Sequence, residues 1–168
     1  MTTPDPVPPV DPIRPTDDAA RSLARGLIDT ARFGALGVIA PDDGSPQVTR
    51  VATGTDPAGH PLILISTLSA HTTALRADPR CSLLLGEPGA KGDPLTHPRL
   101  TLTCQARFTE HDSPDYPPLA ERWRTDHPKA KLYIGFQDFV FATLRIEAAA
   151  LNGGFGRAFR LTPADLDV

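Results

Sequence analysis

Pro46–Leu85 reads PQVTRVATGTDPAGHPLILISTLSAHTTALRADPRCSLLL, and this stretch decides how the chain folds. Two apolar runs, Val48–Thr53 and Leu62–Thr67, flank Asp56-Pro57-Ala58-Gly59, the pattern of a β-hairpin closed by a longer loop. A polar segment follows, with Ser66, Thr67, Ser69, His71, Thr72 and Thr73 close together. It ends at Asp78-Pro79, because a residue before proline is pushed out of the helical region. The run Cys81–Leu85 is then a third strand. Hydroxyls gathered at a strand end and a helix start, with Arg50 on the neighbouring strand, are able to hold a phosphate group. The same residues also serve as caps and turn formers, and spacing alone leaves both readings open.

Working outward, Thr16-Asp17-Asp18 opens a helix, with Thr16 as the N-cap and two acids at the positive end of the dipole. Ala20, Leu23, Ala24, Leu27, Ile28 and Ala31 recur at spacings of three and four and form its apolar face. Gly34 is the expected stop. Ala35–Ala40 and Val48–Thr53 form a first hairpin around Pro41-Asp42-Asp43-Gly44. Gly86–Pro98 is a glycine- and proline-rich loop. Arg99–Phe108 alternates, with Leu100, Leu102, Cys104, Ala106 and Phe108 on one face and Arg99, Thr101, Thr103, Gln105 and Arg107 on the other. Leu119, Ala120 and Trp123 mark the buried side of a later helix, and a second helical piece lies around Ala130–Ile134. Asp138–Glu147 alternates as a strand, followed by a glycine-rich segment, Gly153-Gly154-Phe155-Gly156, and a short tail. Residues 1–15, with six prolines, read as a disordered or surface-laid arm, and 16–168 as one domain. The expected fold is mainly β: about six antiparallel strands with a few covering helices, a pattern that suggests a barrel and that a sandwich would share.

The 168 residues carry a net charge of −3, so no basic field draws nucleic acid or an anionic membrane. No apolar run approaches the ~20 residues needed to cross a bilayer. No signal peptide is visible, and a cytoplasmic location is the expectation. Cys81 and Cys104 sit inside apolar runs and read as buried thiols. The five histidines do not pair at metal-ligand spacings. His60, His97 and His127 each precede a proline and read as surface residues. G-x-S-x-G and G-x-G-x-x-G are both absent, which argues against a nucleophile elbow and a Rossmann site.

Two sets of residues carry a family resemblance. Leu68-Ser69-x-His71-Thr72 with Asp78-Pro79-Arg80-x-Ser82-Leu83-Leu84 resembles the pyridoxamine 5'-phosphate oxidase-like, FMN-binding split-barrel superfamily. HPKAKLYIGFQDFVFATLRIEAAALNGGFGRAF, from His127 to Phe159, is similar to the haem-utilisation branch of that superfamily, the HugZ and HutZ type. The resemblance implies a six-stranded split barrel working as a homodimer, with FMN at the subunit interface. It implies that Arg50 pairs with the FMN phosphate and that Ser66 and Thr67 contact the phosphate and ribityl chain. His71 and Thr72 would complete the phosphate grip at the helix start, and Arg99 and Gln105 would approach the flavin from the partner subunit. The expected activity is a flavin-dependent oxidoreductase, with the chemistry supplied by FMN. The alternatives are a haem-binding or haem-degrading protein of the same fold and a cofactor-free dimeric module. The haem branch uses a histidine near the C-terminus, and no histidine follows His127 here.

Overall fold

The computed structural model describes residues 12–168. The proline-rich stretch up to residue 11 lies outside the described residues. Eight strands form one sheet: β1 (Ile13–Arg14), β2 (Phe33–Ile39), β3 (Pro46–Thr55), β4 (Pro61–Ser66), β5 (Arg80–Leu85), β6 (Arg99–Thr109), β7 (Phe139–Asn152) and β8 (Ala158–Leu161). Their order is β1-β8-β7-β4-β3-β2-β5-β6, and a further β6–β7 pairing closes β7-β4-β3-β2-β5-β6 into a six-stranded antiparallel barrel. β8 and β1 extend the sheet beyond that ring. The expected barrel is therefore present, with two strands more than the sequence pattern marked.

Alternation fills the barrel. Leu36 and Val38 (β2), Val51 (β3), Ile63 and Ile65 (β4), Leu83 (β5), Leu100 and Leu102 (β6) and Val140 and Leu144 (β7) all enter one buried cluster. Two helices close its ends. α1 (Asp18–Thr30) contributes Ala20, Ala24 and Ile28, and α2 (Ala70–Ala77) contributes Ala74 and Leu75. α3 (Tyr116–Asp126) packs on the outside instead. Tyr116, Leu119, Ala120 and Trp123 cover Leu62, Leu64 and Phe141, the outward residues of β4 and β7. That is why β4 is apolar throughout rather than alternating.

Several boundaries differ from the pattern. Asp17, not Thr16, caps α1, accepting the Ala20 N–H at 2.7 Å, while the Thr16 hydroxyl donates to the Arg160 carbonyl of β8. Gly34 does not stop the helix; it lies in β2, where a Cβ would meet Leu85 Cδ2 at 2.8 Å and the Leu84 carbonyl at 2.9 Å. The piece around residue 130 is a 3₁₀ turn, Pro128–Leu132. β7 runs on past Glu147 to Asn152. A bulge leaves β6 Thr103 and Cys104 opposite Ala148 and Ile146, so Glu147 is extra and the alternation shifts phase there. No described helix is long and apolar enough to cross a membrane.

Candidate functional site

The barrel is bare where no helix covers it. Along β3, Val48, Arg50 and Ala52 point outward, since Val51 and Thr53 fill the interior. Arg50 pairs with Ala35 of β2, Ala35 with Leu84 of β5, Leu84 with Thr101 of β6 and Thr101 with Ala150 of β7. One row of mostly small or apolar side chains therefore runs across five strands from a single arginine. The next row takes Val48, Gly37, Ser82, Thr103 and Ala148. A cleft of about 610 Å³ opens along it, between Gly37, Val48, Arg80 and Thr103. Phe33, Val48 and Leu84 are 42 %, 73 % and 42 % exposed, a large apolar content for a surface that meets only water.

Arg50 lays its guanidinium 5.4 Å over the Phe33 ring, and among the described residues no carboxylate neutralises it. A second cleft of about 330 Å³ adjoins, lined by Val48, Thr49, Ala70 and His71, where the start of α2 meets β3. Ser69, the N-cap of α2, makes no side-chain cap, and the Thr72 and Thr73 N–H groups take the Ser69 carbonyl. The amides of Ala70 and His71 have no partner among the described residues, which leaves the helix start open to an anion. His71 Nε2 is buried and also unpartnered, and burial lowers the pKa of this imidazole.

The hydroxyls are arranged otherwise. Ser66 donates to Asp138 at 2.9 Å and accepts the Leu68 N–H at 3.2 Å. Thr72 is buried, and its hydroxyl donates to the Ser66 carbonyl at 2.7 Å. These two side chains hold the β4–α2 corner, the capping role that spacing left open. Thr67 is half-buried, with its N–H on the Asp138 carbonyl and its hydroxyl unbound. The structure thus brings the helix start and His71 against Val48 and Thr49 of β3; Arg50 follows on that strand and lines neither cleft, and Thr67 lies just past the end of β4. Arg99 and Gln105 stand three strands away on β6. Arg99 donates to the Leu95 carbonyl at 3.0 Å, and Gln105 donates to Glu147 at 2.6 Å. Within one chain neither lines the two clefts along β3.

Sequence reasoning missed Phe33, which steadies Arg50, and Asp138, which takes the Ser66 hydroxyl; both lie far from the motif in the chain. The three histidines read as surface residues are half-buried and structural. His60 Nδ1 accepts the Ile146 N–H at 3.2 Å, His97 holds the 86–98 loop through Gly89 and Lys91, and His127 stacks on Trp123 and bonds the Thr53 carbonyl. A proline after each places the backbone at a bend but says nothing of where the ring turns. Cys81 and Cys104 face each other across β5–β6 as free, buried thiols, and burial pushes the Cys81 pKa up to about 12.

The model of the CREG beta-barrel family matches residues 15–166, from the start of α1 to the last turn. The chain belongs to that family. Among curated proteins it is 28 % identical over 117 residues to the chloroplastic haem oxygenase HOZ of Arabidopsis thaliana, a match covering 70 % of this chain and 35 % of that protein. The chain thus spans about a third of the length of the curated relative it matches. A solved structure described as a haem-binding protein of Mycobacterium smegmatis is 28 % identical with TM-score 0.77, over 92 % of this chain and 61 % of that one. HutZ of Vibrio cholerae, described as a haem storage protein, superposes with TM-score 0.64 at 20 % identity, over 75 % of this chain and 87 % of that one. That last likeness is one of fold. The split-barrel fold and its haem-utilisation branch, expected from the motifs, are both represented among these neighbours.

Proposed function

We propose that this protein binds FMN on the bare outer face of the barrel, where two copies meet, and works as a flavin-dependent oxidoreductase on a small substrate. The observation that carries this is Arg50, an arginine with no carboxylate partner among the described residues, on the strand whose Val48 and Thr49 share a cleft with the start of α2, where the first two amides are unbonded. A phosphate satisfies all of these groups, because charge-assisted bonds to a guanidinium and to helix-start amides are the strong ones. The buried, partnerless His71 Nε2 is a further group that a bound ligand would complete. The small residues Ala35, Gly37, Ala148 and Ala150 let a flat ring lie close to the sheet. Bound flavin supplies the electron transfer; the chain anchors the phosphate, orients the ring and keeps its apolar edge from water. Arg99 and Gln105 would reach this site only from a second copy, and the exposure of the apolar side chains Phe33, Val48 and Leu84 supports that pairing.

Haem is the second reading, favoured by two 28 %-identical proteins whose names concern haem. Against it, the two rows across β3, β2, β5, β6 and β7 present no outward His, Cys, Met or Tyr to bind iron. Absorption spectra of purified protein, taken before and after separate loading with FMN and haemin and removal of excess, test the choice. Retained flavin bands at one per chain support the proposal. A retained, saturable Soret band without flavin uptake supports haem, and a colourless protein under both loadings leaves a cofactor-free module.

A further inference from the structure

A second cluster lies on β6 and β7, two to three strands round the barrel from Arg50. β7 pairs with β4 as far as Thr143 and with β8 from Ala149. Between those two partners its edge is open, and His60 fills part of the gap: Nδ1 accepts the Ile146 N–H at 3.2 Å. A neutral imidazole that accepts at Nδ1 carries its proton on Nε2, so the remaining nitrogen is a donor. Beside the ring is a cleft of about 270 Å³, which Arg107 and Thr109 enter from β6 and Thr143 and Arg145 from β7. Arg107 stands opposite Thr143 and Arg145 opposite Gln105, so the two arginines are diagonal neighbours. Neither has a hydrogen bond or ion pair within the described chain.

Almost every group here donates. Asp56 is the one acid lining the cleft, and its Oδ1 already accepts the Ala58 and His60 N–H groups at 3.0 and 2.9 Å. Glu147, the nearest acid on β7, is held by Gln105 at 2.6 Å. Burial, with the positive charges of Arg145 and Arg25, lowers the His60 pKa against the pull of Asp56. In a chain of net charge −3, two unpaired guanidinium groups, an imidazole N–H and two hydroxyls directed at one small cleft form an unusual concentration of donors.

We propose that this cleft binds a doubly charged oxyanion of the phosphate type, as free phosphate or as the phosphate end of a small metabolite. A carboxylate presents two oxygens in a plane. A phosphate presents three terminal oxygens on a tetrahedron, matching donors that arrive from β6, from β7 and from the β3–β4 loop. The site shares no lining residue with the two clefts along β3 and does not rest on the flavin reading.

The test is a titration of ¹⁵N-labelled protein with inorganic phosphate, glycerol phosphate and acetate at constant ionic strength, following the Ile146 amide and the arginine Nε–H signals. Phosphate should shift these signals saturably. The affinity should fall about tenfold or more in Arg107→Met and in Arg145→Met, each of which loses a charge-assisted bond, and should hold in Arg157→Met, which replaces an exposed arginine between β7 and β8 that lines neither site. An Ile146 signal that stays in place in the free variants reports an intact fold. Glycerol phosphate binding as tightly as phosphate identifies a metabolite's phosphate end, and much weaker binding identifies the free ion. Shifts that never saturate, affinity unaltered by Arg145→Met, or acetate matching phosphate would each overturn the proposal.

Discussion

Replacing Arg50 with alanine separates the proposed role of this residue from any part it has in folding. The side chain is exposed, and its one contact among the described residues is the stacking on Phe33 at 5.4 Å. An exposed cation–π contact is worth about 0.5–1 kcal/mol. In a chain of this length that corresponds to a melting temperature lower by roughly 1–4 °C. The binding effect should be far larger. A hydrogen bond to a charged group contributes about 1.5–3 kcal/mol, and each 1.4 kcal/mol is a factor of ten, so FMN affinity should drop about 10- to 150-fold. Quenching of flavin fluorescence gives the dissociation constant, and a melting curve without flavin gives the stability. Arg50→Lys keeps the charge without the planar fork and should fall between wild type and alanine. FMN bound equally well by Arg50→Ala would refute the phosphate assignment. A fall in melting temperature above about 10 °C would refute the claim that this arginine is structurally idle.

Other consequences are as direct. Gly86→Ala should cost about 2–4 kcal/mol: φ is +98°, and a Cβ would overlap the Pro98 carbonyl oxygen and lie 2.9 Å from Arg99 Cα. Chemical denaturation measures this, and a loss below about 0.5 kcal/mol contradicts the packing described. His60 and His71 both have pKa values lowered by burial, so the native state binds fewer protons than the unfolded chain. Their stabilising contribution is present above the ordinary histidine pKa of about 6.5 and is lost as pH falls through the lowered native values. The melting temperature should therefore decline between about pH 7.5 and 5.5, and less steeply in His71→Gln; an equal decline in that variant would remove His71 from the account. Cys81 and Cys104 should react with a thiol reagent only on unfolding, because burial keeps both protonated; prompt labelling of the native protein would contradict their buried placement.

The parts of the fold legible in the sequence are those where one physical rule acts alone. β6 alternates cleanly because its inner residues meet the core and its outer ones meet solvent. α1 has its apolar face at the spacing a helix needs, and Ala20, Ala24 and Ile28 are buried as that spacing requires. Where two rules act, the pattern fails. β4 is apolar on both faces because α3 covers its outside, and β7 loses its phase at Glu147 because a bulge inserts one residue. β1 and β8 are two and four residues long, too short for a period, and exist because each finds a neighbour's edge. The site was legible in the same uneven way. β3 and the start of α2 share a cleft, but Ser66 and Thr72, expected to hold a phosphate, have their hydroxyls engaged at the corner. A hydroxyl in a sequence does not say which acceptor reaches it first.

The helices explain why this flank remains for function. α1 and α2 close the two ends of the barrel, and α3 takes the outer side of β4 and β7. What stays open is the outside of β3, β2, β5 and β6 with the far half of β7, and it combines exposed Phe33, Val48 and Leu84 with small residues and an unpaired arginine. A surface meant only for water has little reason to be apolar and flat. A surface meant only for another protein has little reason to hold an uncompensated charge beside bare helix amides. The two features together fit a face shared by a second copy and an anionic planar ligand. A specific pairing of that kind covers about 800 Å² on each partner, and the proposed dimer would bring Arg99 and Gln105 of each copy towards the other's Arg50. In such an arrangement neither copy completes a site alone, and loss of the dimer and loss of the cofactor become one event.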